Sequence, residues 1–175
     1  KVRKALINKS SFEPADVDFE TEIYSGAEEP YEFQFAQNFT AINGKFVFCE
    51  DEKDFVSNLV MLIQDNDWKE VFCFDPNINL MISGSLAINS KTAEIAKVDI
   101  GITGCECLIA RTGSVMISSK QASGRRLPLF SNIHIVVAYT SQIVYNIKDG
   151  LKAIKKKYEG NIPSMIVNIS GPSRT

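Results

Sequence analysis

The sequence predicts an α/β protein, a sheet with helices packed on its faces. Two observations carry that reading. From residue 31 onward, short apolar β-rich runs alternate with segments of helical periodicity and recognisable caps. One block departs from the alternation: between Ile100 and Ser119 the apolar runs follow each other too closely for helical crossovers. There, Thr112-Gly113 is placed to close a tight hairpin, glycine supplying the positive φ.

The elements follow in order. Tyr31 to Asn43 reads as a helix stopped by Asn43-Gly44. Lys45 to Cys49 is a short strand-like run. Asp51 caps a helix whose Phe55, Leu59, Leu62 and Ile63 fall on one face, with Asp54 in its first turn. Val71 to Phe74 is the next strand, and Asp75-Pro76 supplies a cap followed by proline at the first helical position. Asn146 caps a later helix with Asp149 three positions on. Its predicted buried stripe is Ile147, Leu151, Ile154 and Tyr158; Lys155, Lys156 and Lys157 complement the negative end of its dipole, and Gly160 closes it. Ser164 to Ile169 is the last strand.

Residues 1–30 show neither periodicity. From Ser11 to Pro30 there are seven acidic residues and no basic one, which predicts an extended acidic arm packed by Phe12, Val17, Phe19 and Ile23 ahead of one domain over 31–175. With 175 residues, 45% of them hydrophobic, the chain can bury one sizeable core. A net charge of −2 gives no basic footprint for nucleic acid or an anionic membrane. No apolar run approaches the roughly 20 residues that span a bilayer, and no basic-then-apolar leader is visible, so a cytoplasmic location is expected. Cys49 and Cys73 sit in apolar runs and Cys105 and Cys107 lack the C-x-x-C spacing, so all four are expected to be reduced and structural. A single histidine excludes a multi-histidine metal site, and no cofactor fingerprint is visible.

Two clusters pair glycine and small hydroxyl residues with arginine in the manner of an anion nest. Gly171, Ser173, Arg174 and Thr175 directly follow the last strand, where ligands of open α/β sheets sit. Arg174 there suits a carboxylate or phosphate; the bland alternative is a helix cap with a structural ion pair. Thr112, Gly113 and Ser114 are either the hairpin turn alone or a second part of the nest. Gly124, Arg125 and Arg126 form a cationic flap over a ligand or simply a solvated basic loop. His134 opens an apolar strand, and either a hydrogen-bonded structural residue or a catalyst fits. Glu106 interrupts an apolar strand, which points to a raised pKa and acid/base work, or to pairing with Arg111 or Arg125. Thr103 and Gly104 complete the candidate ligand-binding set.

Three of these pieces together resemble the LUD domain of the lactate-utilisation LutC-like (YkgG-type) family. Ile102 to Ser114, ITGCECLIARTGS, is similar to the family's ITGAD-hydrophobic-AETG segment. Asn132 to Val137, NIHIVV, follows a Gly-Arg-Arg loop, and GPSRT closes the set. The resemblance covers roughly residues 31–175. It implies a three-layer fold similar to the NagB, RpiA (ribose-5-phosphate isomerase) and CoA-transferase group. It also implies a part in oxidising L-lactate to pyruvate beside iron–sulfur partner subunits; with no cofactor ligands visible in its own sequence, a binding or assembly component is expected, the two clusters taking an anionic ligand. A homodimer is left open. The alternative is a stand-alone enzyme of that fold group acting on a phosphosugar, CoA ester or folate, with Glu106 as acid/base. Two departures stand out. Arg111 replaces a common glutamate, and the family's Ala-Asp-Ile-Glu continuation after GPSRT lies outside these residues.

Overall fold

The computed structural model describes residues 29–88, 98–124 and 126–172. The acidic arm up to residue 28, the Arg125 position and the Ser173–Arg174–Thr175 end lie outside the described residues.

Two sheets organise the chain. Strands β1 (Val71–Cys73), β2 (Ile100–Thr103) and β5 (Ile133–Val136) form a three-stranded parallel sheet in that order. Strands β6 (Ile143–Val144), β3 (Cys107–Ile109), β4 (Ser114–Ser118) and β7 (Ile166–Ile169) form a four-stranded mixed sheet. In it β3 pairs antiparallel to β4 and parallel to β6, and β4 pairs antiparallel to β7. The chain passes from one sheet to the other across the short bend between β2 and β3. Val136 and Ala138 then carry the end of β5 into the core of the second sheet.

Strand periodicity explains how each sheet is covered on both faces. Val71, Cys73, Ile100 and Ile102 turn to one face, against α2 (Glu52–Asp65) and α3 (Pro76–Ile82). Phe72 turns to the other, where Leu127 of the short helix α4 (Leu127–Phe130) packs. In the second sheet Leu108, Val115 and Ile117 meet Phe35 and Phe39 of α1 (Tyr31–Ala41). Cys107, Ile109 and Met116 meet Ile154 of α5 (Ile147–Lys157). The layered α/β architecture expected from the alternation is therefore present, with the sheet divided in two.

The helices start where their caps place them. Asp51 accepts from the Asp54 amide (2.8 Å), Asp75 Oδ1 from Asn77 and Ile78 (3.0 and 3.3 Å), and Asn146 from Asp149 (3.3 Å). Each such cap contributes about 1 kcal/mol. No helix among the described residues is long and apolar enough to cross a membrane.

Three local expectations need correction. Lys45 to Cys49 forms no strand, and Val47 and Phe48 are exposed. The stripe of α5 is narrower than its periodicity suggests: Ile154 is buried, but Leu151 and Ile147 lie at the surface. The cause is Gly150, whose missing side chain lets α5 settle onto β3; a Cβ there would sit 2.9 Å from Cys107 Sγ and 3.1 Å from Ile109 Cδ1. On α2, Leu59 and Ile63 are buried while Leu62 faces outward. All four cysteines are free, and burial pushes the Cys73 and Cys107 thiols up to about 11 and that of Cys105 to about 12. They stay protonated near neutrality, which suits the structural role expected of them.

Candidate functional site

The candidate residues separate into three groups. The first is the hairpin corner. β3 runs into a 3₁₀ turn, Ala110–Thr112, closed by Gly113 at φ 58°, and β4 begins at Ser114. Thr112 Oγ1 and Ser114 Oγ are hydrogen-bonded to each other, and Asn168 Nδ2 donates to Ser114 Oγ at 3.0 Å. Ser114 is fully buried, so it orients the half-buried Thr112 hydroxyl and leaves Thr112 as the group able to meet a ligand. Val115 with Ile169 is the last pair of β4 and β7 at this end, so Gly113 and Gly171 each lie two residues beyond it, at the same end of the sheet. Both glycines press on the end of α1: a Cβ on Gly113 would lie 2.3 Å from the Phe39 nitrogen, and one on Gly171 2.6 Å from the Ile42 carbonyl oxygen. Asn38 fixes the corner further, donating from Nδ2 to the Ala110 and Arg111 carbonyls at 2.8 and 3.2 Å. The same sheet end receives the N-terminus of α5, since α5 follows the end of β6, which runs parallel to β3. Two glycine-centred segments widely separated in sequence thus meet the same sheet end and the same end of α1.

The second group is Glu106, at the opposite end of the same sheet. Four strand steps from Ser114 to Ser118 span about 13 Å, so Glu106 does not belong to the corner. Its side chain is 0% exposed and accepts from Ser118 Oγ (2.5 Å), Tyr158 OH (2.7 Å) and Lys157 Nζ (2.8 Å). Burial alone would raise its pKa, but the Lys157 bond, with Ser118 and Tyr158, outweighs it and holds the carboxyl below the usual range. The raised pKa expected from apolar neighbours is therefore corrected; among the described residues the cation beside the carboxylate is Lys157, and the Arg125 alternative lies outside them. Lys120 lies over the Tyr158 ring, 4.7 Å from its centroid.

The third group lies on the parallel sheet: Thr103 ends β2, whereas His134 is the second residue of β5 and pairs with Gly101. Thr103 Oγ1 donates to the Gly104 carbonyl at 2.9 Å, so its partner His134 Nε2, at 2.8 Å, is the donor in their bond. Burial pushes the His134 pKa down to about 4, so the ring is neutral at physiological pH and carries no charge for an anion. Gly124, at φ 54°, ends the loop that follows β4. Its Gln121 reaches back toward Gly104, so the loop belongs to this end and not to the hairpin corner. Two residues the sequence reading did not single out also stand here: the Asp75 carboxylate and Gln121. Asp75 was visible only as a helix cap, and nothing around Gln121 distinguished it. Among the described residues, no cluster of three or more metal-ligating side chains occurs.

The buried histidine has a measurable consequence. The unfolded chain binds a proton near pH 6.5 and the folded chain only near 4. Stability is therefore complete above about 6.5 and falls as pH drops toward 4, by up to about 3 kcal/mol. Urea midpoints across this window should show the loss in the native chain and a flatter profile in His134→Gln; equal slopes would assign the loss to other groups.

A LUD domain family model matches residues 33–175, most of the chain. The chain belongs to the LUD family. A "Lactate utilization protein C" of Deinococcus radiodurans is 32% identical over 84 residues, 47% of this chain and 39% of the relative. Another of that description, from Shouchella clausii, is 30% identical over 105 residues, 59% of this chain and 45% of the relative. An uncharacterised protein of Neisseria meningitidis serogroup B is 33% identical over 85 residues, 49% of this chain and 36% of the relative. The alignments span less than half the length of these curated relatives. The crystal structure of a DUF162 family protein from Deinococcus radiodurans superposes with a TM-score of 0.66 at 19% identity, covering 81% of this LUD chain and 87% of the other, and supports the fold. LutC-like relatives at about 30% identity agree with the resemblance carried by ITGCECLIARTGS, NIHIVV and GPSRT.

Proposed function

We propose that this LUD protein is a LutC-type component of L-lactate utilisation, a binding and assembly subunit that works beside iron–sulfur partner proteins and takes an anionic metabolite at its hairpin corner. The observation that supports the site is the β4–β7 register, which leaves Gly113 and Gly171 at one sheet end. Thr112 offers a hydroxyl held in place by Ser114 and Asn168. The N-terminus of α5 adds the positive end of a helix dipole at the same sheet end. Ser173, Arg174 and Thr175, which directly follow Gly171 and Pro172 in sequence, supply two hydroxyls and the guanidinium that would grip a carboxylate. The family match and the two relatives named for lactate utilisation support the pathway. Glu106, saturated by three donors and closed to solvent, supports a structural post over an acid/base role.

Calorimetric titration with L-lactate and pyruvate tests the site. Binding is expected, weakened about tenfold in Arg174→Ala and in Thr112→Val, each of which removes a hydrogen bond to the anion. Absence of heat with either acid, or affinity unchanged in both variants, would overturn the anion site. Co-purification with a cysteine-rich iron–sulfur protein encoded beside it tests the assembly role, and its absence would remove that part.

A further inference from the structure

We propose that the shoulder of α5 formed by Ile147 and Leu151 is the docking surface for this chain's own acidic arm, whose residues 16–23 set an apolar side on it and offer carboxylates to Lys148, Lys152 and Lys155. The shoulder is the part of the helical stripe that periodicity assigns to the core and the fold leaves uncovered. Ile147 is 36% exposed and Leu151 44%, while Ile154 on the same stripe is buried. At about 100° per residue, Ile147 and Leu151 lie roughly 40° apart around the helix, and Lys148, Lys152 and Lys155 occupy the adjoining sector of about 60°. All three lysines are exposed. Lys152 reaches Asp149 at 3.9 Å, in an exposed pair that gives way readily to a better partner. An apolar strip bordered by a strip of one charge suits a partner that is apolar on one side and negative on the other.

The arm lies outside the described residues, yet its charge, its pattern and its point of attachment all match. From Ser11 to Pro30 it carries seven acidic residues and no basic one. Over residues 1–30 it has no periodicity, but a shorter window amends that reading: Asp16, Asp18, Glu20 and Glu22 alternate strictly with Val17, Phe19, Thr21 and Ile23. Such alternation sorts a chain laid out extended into one apolar and one acidic side. The described chain begins at Glu29, and Tyr31, the first residue of α1, stacks on Tyr145 with ring centroids 5.8 Å apart. Tyr145 stands two residues before α5 starts at Ile147, so the arm is tethered beside the start of the shoulder. The 11 residues of α5 measure about 16 Å, a length that roughly five extended residues match. The stretch from Ile23 to Tyr31 can reach roughly 25 Å, enough to bring residues 16–23 alongside.

Other pairings fit less well. Phe46, Val47 and Phe48 form another exposed apolar run, but Glu50, Asp51 and Glu52 follow it directly and would repel an acidic arm. A second copy of α5 would bring one lysine strip against another, a like-charge contact that disfavours self-association through this face. The lysine stems are long enough to lie along the apolar strip and raise their ammonium groups beside a docked segment. The docking does not depend on the lactate reading.

Zero-length carbodiimide coupling on the full chain tests the contact, because it joins a carboxylate to a lysine amine only where the two touch. Peptide mapping is expected to find links from Asp16, Asp18, Glu20 or Glu22 to Lys148, Lys152 or Lys155. With ordinary and isotope-labelled chains mixed, those links should fall within single copies. Leu151→Asp keeps every lysine and carboxylate yet should lower their yield about fivefold, and molar salt should lower it as well. Phe19→Ser leaves every described residue in place and should have the same effect, whereas Leu80→Asp, on α3 beside the other sheet, should have none. Hydrogen exchange of residues 16–23 should be slower in the native chain than in the Leu151 and Phe19 variants. Links spread evenly over Lys45, Lys53 and Lys69 as well, links only between differently labelled copies, or full yield in both the Leu151 and Phe19 variants would overturn the docking. None of these outcomes bears on lactate or pyruvate binding.

Discussion

Glu106→Gln is expected to lower the stability of the chain by about 2–4 kcal/mol, one of the two largest effects foreseen for a single substitution. The carboxylate has no solvent to fall back on and satisfies three donors, from β4, α5 and the Tyr158 that caps α5. Glutamine keeps the volume but offers one acceptor oxygen, and its amide would turn N–H groups toward Lys157 or Tyr158. Lys157→Met asks a different question, because Lys157 is half-exposed and its loss leaves the buried charge to two neutral hydroxyls. Screening by solvent reduces that cost to about 1–2 kcal/mol. The sign with pH follows from the lowered Glu106 pKa. Its contribution is present above the ordinary carboxylate range and disappears as pH falls through the folded value, so the Lys157→Met penalty should shrink in acid. Urea unfolding at neutral and acid pH measures both. A Glu106→Gln chain as stable as the native one, with a lost activity, would instead mark Glu106 as a reacting group.

The same residue shows what a sequence reveals and what it hides. Its place in an apolar strand was legible, and its burial followed. Its partners were not, because Lys157 and Tyr158 lie 51 and 52 positions away on a helix whose lysine run reads as a solvated C-terminus. Only the packing of α5 onto β3, through Gly150, brings that run to the carboxylate. Caps were legible at Asp51, Asp75 and Asn146 because a cap is a local contract between one side chain and an amide two or three residues on. The hairpin was legible for the same reason.

Strand pairing is not local. Nothing in Ile133–Val136 or Ile143–Val144 announces that the first joins β2 and the second β3, or that the sheet divides between them. Lys45 to Cys49 carries strand chemistry yet stays unpaired among the described residues, since propensity states only that a residue fits a pleated surface. The glycine-containing segments were legible as candidates through their residue types, but it is the β4–β7 register that brings Gly113 and Gly171 to one sheet end.

Gly113→Ala should cost about 3 kcal/mol or more, and the reason lies in what it would strike. The added methyl would fall 2.3 Å from the Phe39 nitrogen and 2.4 Å from the Asn38 carbonyl carbon, at a φ of 58° that L-residues avoid. These are backbone atoms of α1, and no rotamer change relieves them. The helix would have to withdraw as a body, breaking the Asn38 bonds to Ala110 and Arg111 and parting Phe35 and Phe39 from the sheet. Gly124→Ala provides the control. Its φ of 54° carries the same backbone penalty, but nothing lies within 4 Å, so about 1 kcal/mol is expected. Thermal and urea midpoints of the two variants separate close approach from conformation. If they fall equally, α1 does not press on the corner, and the corner loses the element that sets Gly113 and Gly171 in place. If Gly113→Ala falls far further, the anion-binding geometry proposed at Thr112 is an outcome of helix docking, and any change that loosens α1 should weaken lactate and pyruvate binding without touching a residue of the corner.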